Sequence, residues 1–264
     1  MTEQRNIKLT IEYDGSNFHG YQFQDGLRTV QGEIEKALFN LTQKEHRTVV
    51  AGRTDKGVHA TAQVCNFITD SKLRLISFLD GLNRFLPDDV AIQRVEEVDL
   101  NFNARFSAKA RFYEYNLINR RTKSAIQNKR VTVYKNPLDL ERMKKAASYL
   151  IGEHDFSSFR ATQCQAKSPI TEIYSINLEK VEEKEGSIIR VKIHGRSFLH
   201  NMIRIIMGTL VEIGRGEKEP EFMLEVLNAK DRTKAGATLH PEGLYFTGVD
   251  YSNNHKIYAT EPRN

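Results

Sequence analysis

The chain has 264 residues, 39% of them hydrophobic, with 39 Lys and Arg against 34 Asp and Glu and a net charge of +5. That length builds one large domain or two ordinary ones around a sizeable core. No run of 18 apolar residues is present, which excludes a membrane-spanning helix. The two cysteines, Cys65 and Cys164, lie far apart, which excludes a disulfide framework and a Cys-based metal spacing. The opening "MTEQRNIKLT" has no apolar h-region, so the expectation is a reduced, cytoplasmic protein without a secretory leader.

Residues 6–13, "NIKLTIEY", alternate strictly and predict a half-buried strand with Ile7, Leu9, Ile11 and Tyr13 on one face. "DGSNFHG" breaks it with turn residues. Thr29 is then placed to cap a helix whose Val30, Ile34, Ala37, Leu38 and Leu41 share a face. Strands are expected around 47–52 and 60–68. A second helix runs from Leu73 to Phe85, ended by Pro87, and "VAIQRV" closes the set near residue 95. The order is β-α-β-β-α-β. The second half follows the same order. It has a strand at 110–119 and a helix between Pro137 and Gly152. "ITEIYSINLEKV" and "SIIRVKIHG" are strands joined at a turn, "EEKEG". An apolar helix, "SFLHNMIRIIMGTLVEIG", ends at Gly214, a short extra helix, "PEFMLEVLNAK", follows, and "GLYFTGVDY" is the last strand. The expectation is an α+β protein of two split β-α-β (ferredoxin-like) domains, 1–104 and 105–264, with loops at 120–135 and 152–169 as candidate functional insertions.

Charge is uneven. From Asn101 to Lys135 there are nine Lys or Arg and one acid, Glu114. Such a stripe suits a phosphate-bearing partner, although a solvated basic face with no partner has the same composition. Two antiparallel sheets flanking a basic cleft would suit an RNA chain. Neither half carries the aromatic signature of an RNA-recognition motif, which disfavours a simple base-stacking module.

The chemistry concentrates in "AGRTDKGVHA", Ala51 to Ala60, a strand-to-strand connection with four groups able to hold or move charge: Arg53, Asp55, Lys56 and His59. Asp55 lies between two cations, which favours its ionised form, and an ionised acid on a loop can act as nucleophile, base or electrostatic stabiliser. A turn Asp accepting backbone N–H bonds, with Arg53 as a surface partner, is the commoner use of such a residue. No P-loop, Gly-x-Ser-x-Gly elbow or Cys/His metal cluster is present.

"GRTDKGVHA" resembles the catalytic motif of the bacterial tRNA pseudouridine synthase A family. "IEYDGSNFHGYQ" (11–22), "TVQGEIEKAL" (29–38), "FNARFSAKARFYEY" (102–115), "DFSSFRATQCQ" (155–165), "FLHNMIRIIMGTLVEIG" (198–214) and "EGLYFTGVDY" (242–251) resemble further family blocks, in family order. The resemblance implies an isomerase converting uridine to pseudouridine at positions 38, 39 and 40 of the tRNA anticodon stem-loop, after flipping the base. It implies Asp55 as the essential carboxylate, with Arg53, Tyr113 and Arg204 as substrate-binding residues. It also implies no metal or other cofactor, a homodimer, tRNA as partner, and neither membrane nor DNA. Arg111, Arg120, Arg121, Lys123, Lys129 and Arg130 would track phosphates. A non-catalytic RNA-binding protein on the same fold, or a synthase for another RNA, is the alternative. Tyr21 stands where the family often has Trp, and Phe112 where Arg is common.

Overall fold

A computed structural model of the protein describes residues 4–183 and 186–252. Lys184 and Glu185 of the expected "EEKEG" turn lie outside the described residues. By internal contacts the described chain divides into two compact units: residues up to Arg111 together with Tyr245–Ser252, and Phe112–Leu244. The sequence pattern puts a boundary at 104/105. The contact division instead falls inside a strand and gives nearly all of the last strand to the first unit.

In the first unit, β1 (Arg5–Tyr13) pairs antiparallel with both β3 (His59–Thr69) and β4 (Val90–Val98). Ile7, Leu9 and Ile11 of β1 are fully buried, as the alternation requires. Helices α1 (Val30–Thr42) and α2 (Leu75–Phe85) pack on each other, and α2 packs on β4. Ile34, Leu38, Phe67, Phe78 and Leu82 are each fully or almost fully buried. Each such side chain contributes about 1.5–3 kcal/mol relative to exposure. Thr29 caps α1 as expected, its side chain accepting from the Gly32 N–H. The strand expected at 47–52 shrinks to β2, Val49–Val50. The reason is a neighbouring helix: Glu35 of α1 accepts from both the N–H and the hydroxyl of Thr48, which withdraws that amide from the ladder. β2 pairs with the Cys65–Asn66 end of β3. The His59–Ala60 end pairs in parallel with Tyr245 and Phe246 of β10 (Leu244–Asp250).

In the second unit, β5 (Ala110–Asn119, from Phe112 on) neighbours β9 (Gly186–Gly195), and β9 pairs antiparallel with β8 (Ile170–Glu183). Helices α3 (Leu140–Ser148), α4 (Met202–Gly214) and α5 (Phe222–Ala229) pack through α3. Asp139 caps α3, accepting from the Glu141 and Arg142 amides, so the helix starts three residues after Pro137. α4 begins at Met202 rather than Ser197, because Asn201 takes φ 62° just before it. The 120–135 segment holds a short strand that the sequence pattern misses, β6 (Thr132–Tyr134), parallel to β5. The 152–169 segment holds another, β7 (Gly152–Asp155), antiparallel to β8. Val131 next to β6 is buried with Ile118 and Ile188, and Val133 packs against them. The mixed α+β architecture matches the expectation in kind.

Candidate active site

Asp55 lies on the connection from β2 to β3. It is half-buried, while Arg53 and Lys56 on either side are exposed. The connection is short but far from slack. The Ala51 N–H donates to Val64 O at 2.9 Å, and the Ala51 carbonyl accepts from Arg111 Nε and a terminal nitrogen at 3.3 and 3.1 Å. The Gly52 carbonyl accepts from Gln63 Nε2 at 2.8 Å, and Gln63 is fully buried. Thr54 Oγ1 meets the Tyr13 hydroxyl at 2.7 Å, and the Thr54 carbonyl accepts from the Tyr21 N–H at 3.0 Å. Burial raises the Tyr13 pKa to about 12, so its hydroxyl stays neutral in this contact. Val58 N–H closes a turn onto Asp55 O at 3.1 Å. A carboxylate presented on a backbone clamped on both sides is preorganised, which electrostatic or nucleophilic chemistry needs.

The segment after β1 backs this connection. A Cβ on Gly15 would stand 2.0 Å from Val58 O, and one on Gly20 would stand 2.9 Å from Thr54 O. Gly20 also has φ +94°. Only glycine admits that approach. His59, buried at the start of β3, accepts the Gly15 N–H on Nδ1 at 3.0 Å and stacks on Tyr245 with centroids 4.7 Å apart. Asp14 Oδ1 lies 3.2 Å from the same nitrogen and accepts from the Ser16 N–H and hydroxyl. His59 therefore ties the Gly15 turn to the site connection. Sequence reasoning singled out Asp55, Arg53 and His59 here but passed over Tyr13, Gln63, Gly15 and Gly20 as supports. The two glycines five residues apart in "DGSNFHG" were the available signal.

Tyr113 and Arg204 belong to the second unit, Asp55 and Arg53 to the first. Tyr113 is buried on β5, its ring edge-on to Phe198 with centroids 5.1 Å apart. Arg204 is half-buried on α4. Its Nε donates to Leu239 O at 2.7 Å, its own carbonyl accepts from the Leu239 N–H at 3.1 Å, and one terminal nitrogen donates to Asn201 Oδ1 at 2.8 Å. The two side-chain bonds fix the guanidinium's direction. Phe112 stacks on His194 with ring centroids 4.1 Å apart. Tyr21 is fully buried.

Of the basic stripe, Arg105, Lys109, Arg121, Lys123, Lys129, Arg130 and Lys135 are exposed. Arg111 and Arg120 are not. Arg111 holds Ala51 O, and Arg120 donates to the carbonyls of Thr122 and Lys123 in its own loop. Both serve the backbone, a use the charge count alone does not reveal. Among the described residues no group of three or more His, Cys, Asp or Glu is placed to hold a metal ion, and no helix is long and apolar enough to cross a membrane.

The model of a family described as tRNA pseudouridine synthase matches residues 9–107 and 146–252. The chain is 45% identical over 245 residues to tRNA pseudouridine synthase A of Methylococcus capsulatus, spanning 93% of this chain and 89% of that protein. It is 46% identical to the same-named protein of Cronobacter sakazakii over the same shares. To that of Acetivibrio thermocellus it is 43% identical over 94% of this chain and all of that protein. A chain in a solved Cbf5–Nop10–Gar1 complex aligns with a TM-score of 0.33 at 9% identity, over 77% of this chain and 54% of that one, and nothing rests on it. A mixed α+β fold with a clamped carboxylate connection thus falls in the class of pseudouridine synthases, isomerases that act on RNA. Within that class the chain belongs to the tRNA pseudouridine synthase family.

Proposed function

We propose that this protein isomerises uridine to pseudouridine at positions 38, 39 and 40 of the tRNA anticodon stem-loop, with Asp55 as the catalytic carboxylate. The reaction breaks the bond from uracil N1 to ribose C1′ and forms the bond from C5 to C1′. The C5 proton leaves and N1 gains one, so atoms balance without an oxidant or co-substrate. The observation that carries the reading is the Asp55 connection, with its backbone carbonyls and Thr54 hydroxyl held by Arg111, Gln63, Tyr21 and Tyr13. Such a frame holds one acid in place at a surface flanked by the exposed cations Arg53 and Lys56.

Arg53, Tyr113 and Arg204 act as substrate-binding residues in this reading. An aromatic face against an extruded uracil supplies ~1–3 kcal/mol by stacking. A guanidinium with a fixed direction suits a phosphate or carboxylate. Base extrusion precedes chemistry, because the reacting atoms are inaccessible in a paired stem. The protein works in the cytoplasm as a homodimer on tRNA, with no cofactor.

Tritium release tests this. tRNA carrying [5-³H]uridine is incubated with the protein and with Asp55→Ala. Wild type should release tritium to water, and Asp55→Ala should be slower by roughly 100- to 10,000-fold or more while binding tRNA with unchanged affinity. Release by both proteins removes Asp55 from its role. Release by neither, with tRNA bound, leaves a binding protein. tRNAs lacking uridine at those three positions should release nothing.

A further inference from the structure

We propose that Phe106 is a stacking platform for a nucleobase of the RNA substrate, held at a set distance from the Asp55 connection by Arg111. Its ring is 77% exposed, and the next most exposed phenylalanine among the described residues, Phe39, is at 46%. A single exposed apolar side chain means little by itself. What distinguishes this one is its mounting.

Phe106 sits on a turn whose amides are all bound. Asn103 Oδ1 accepts from the N–H groups of Arg105 and Phe106 at 3.0 and 3.1 Å. Ser107 N–H donates to Asn103 O at 2.9 Å, and the Asn103 N–H donates back to Ser107 Oγ at 3.1 Å. Ala104 N–H donates to Oδ1 of the buried Asn66 on β3 at 2.8 Å, which anchors the turn to the sheet. An aromatic ring on a backbone fixed this thoroughly loses little entropy when a flat ligand covers it.

The surroundings carry the charge that an RNA chain needs. Arg105 is exposed, and its guanidinium lies 5.4 Å from the ring centroid, while Lys109, three residues on from Phe106 in the chain, is also exposed. An aromatic face next to a guanidinium is a combination that binds an unpaired base and its phosphate. The guanidinium over the ring favours a nucleic acid, whose phosphates it can pair with, over an apolar protein partner.

Arg111 joins the platform to the site. One terminal nitrogen donates to Arg105 O at 2.7 Å and also to Ala51 O at 3.1 Å. One guanidinium therefore bridges the residue preceding Phe106 and the first residue of the connection carrying Asp55. Movement of either is transmitted to the other, so a base on Phe106 and a uridine at Asp55 would be held in register along the same RNA.

The inference rests on the proposed function only in taking the ligand to be tRNA, and its test reads binding apart from catalysis. The chain contains no tryptophan, so Phe106→Trp introduces its sole indole. Emission of that variant should fall saturably as tRNA is added and stay unchanged with heparin, which offers charge without bases. Phe106→Ala should raise the KM for tRNA roughly 10-fold, leaving kcat within about twofold, while Phe106→Trp keeps the wild-type KM. Tritium release without quenching, and with an unchanged KM for Phe106→Ala, overturns this inference and leaves the proposed function standing. Quenching with no release by the wild type overturns the reaction and leaves the platform. A loss of native mass in Phe106→Ala by sedimentation overturns the platform in favour of a contact between copies of the chain.

Discussion

At Gly20 the backbone takes φ +94°, and a Cβ there would stand 2.9 Å from the carbonyl oxygen of Thr54, the residue before Asp55. Gly20→Ala should therefore destabilise by ~1–3 kcal/mol and lower the rate of tritium release by displacing Thr54. Gly26→Ala is the control. Its φ is also positive, +70°, but a Cβ there meets nothing within 4 Å. It should cost on the order of 1 kcal/mol with turnover unchanged. Urea unfolding and tritium release on both variants check this, and equal losses of turnover would mean that the close approach does not hold the site. At this scale the sequence displays the charged groups of the connection but not what supports them. Four charged groups on a short link are visible in any reading of 51–60. That Tyr13 reaches Thr54 is not, because the contact spans 41 residues and depends on a register shift in β1 between Ile11 and Tyr13. The sequence marks Tyr13 only as an inward-facing strand residue.

Among elements, the first helix was the most legible. Its cap, its apolar face and its Thr29 start all stand where the spacing puts them, because they depend on residues within one turn of each other. Thr29→Ala should remove the bond to the Gly32 N–H and cost ~1 kcal/mol, and Thr29→Ser should retain most of it. Thermal and urea unfolding of the pair measure this. If Ala and Ser are equally stable, the cap contributes nothing. The short strands were the least legible. β2 is cut to two residues by Glu35 on a neighbouring helix, and β6 exists because Val131 finds Ile118 and Ile188. Both outcomes come from partners far along the chain, and no local pattern encodes them. The early start expected for α4 failed at Asn201, whose left-handed conformation and Arg204 contact separate "SFLHN" from the helix proper.

For the molecule as a whole, the family matches and the excess of cations make it an RNA-acting isomerase with a titratable core. Burial pushes the Cys65 thiol up from 9.0 to about 12 and the Tyr13 hydroxyl up from 10.0 to about 12. In the unfolded chain both ionise near their ordinary values, so the unfolded state loses protons first as pH rises. The stabilisation is complete below pH ~9 and is lost progressively toward pH ~12. The melting temperature should fall by on the order of 10 °C between pH 8 and 11. Cys65→Ala should flatten the first part of that decline, between pH ~9 and ~10. A melting temperature independent of pH up to 11 would mean that these groups ionise in the folded protein as they do in water.

By itself the sequence determined the α+β class and the order of the main strands and helices. These depend on alternation and on a cap next to its helix, all within a few residues. Tertiary structure alone decided which groups immobilise the Asp55 connection, and that His59 holds the Gly15 turn. It also decided that Arg111 and Arg120 serve backbone carbonyls, and that Phe106 stands out on a bound turn. A hydrogen bond needs two groups within about 3 Å. For residues distant in sequence, only the packed sheet and its register bring them that close.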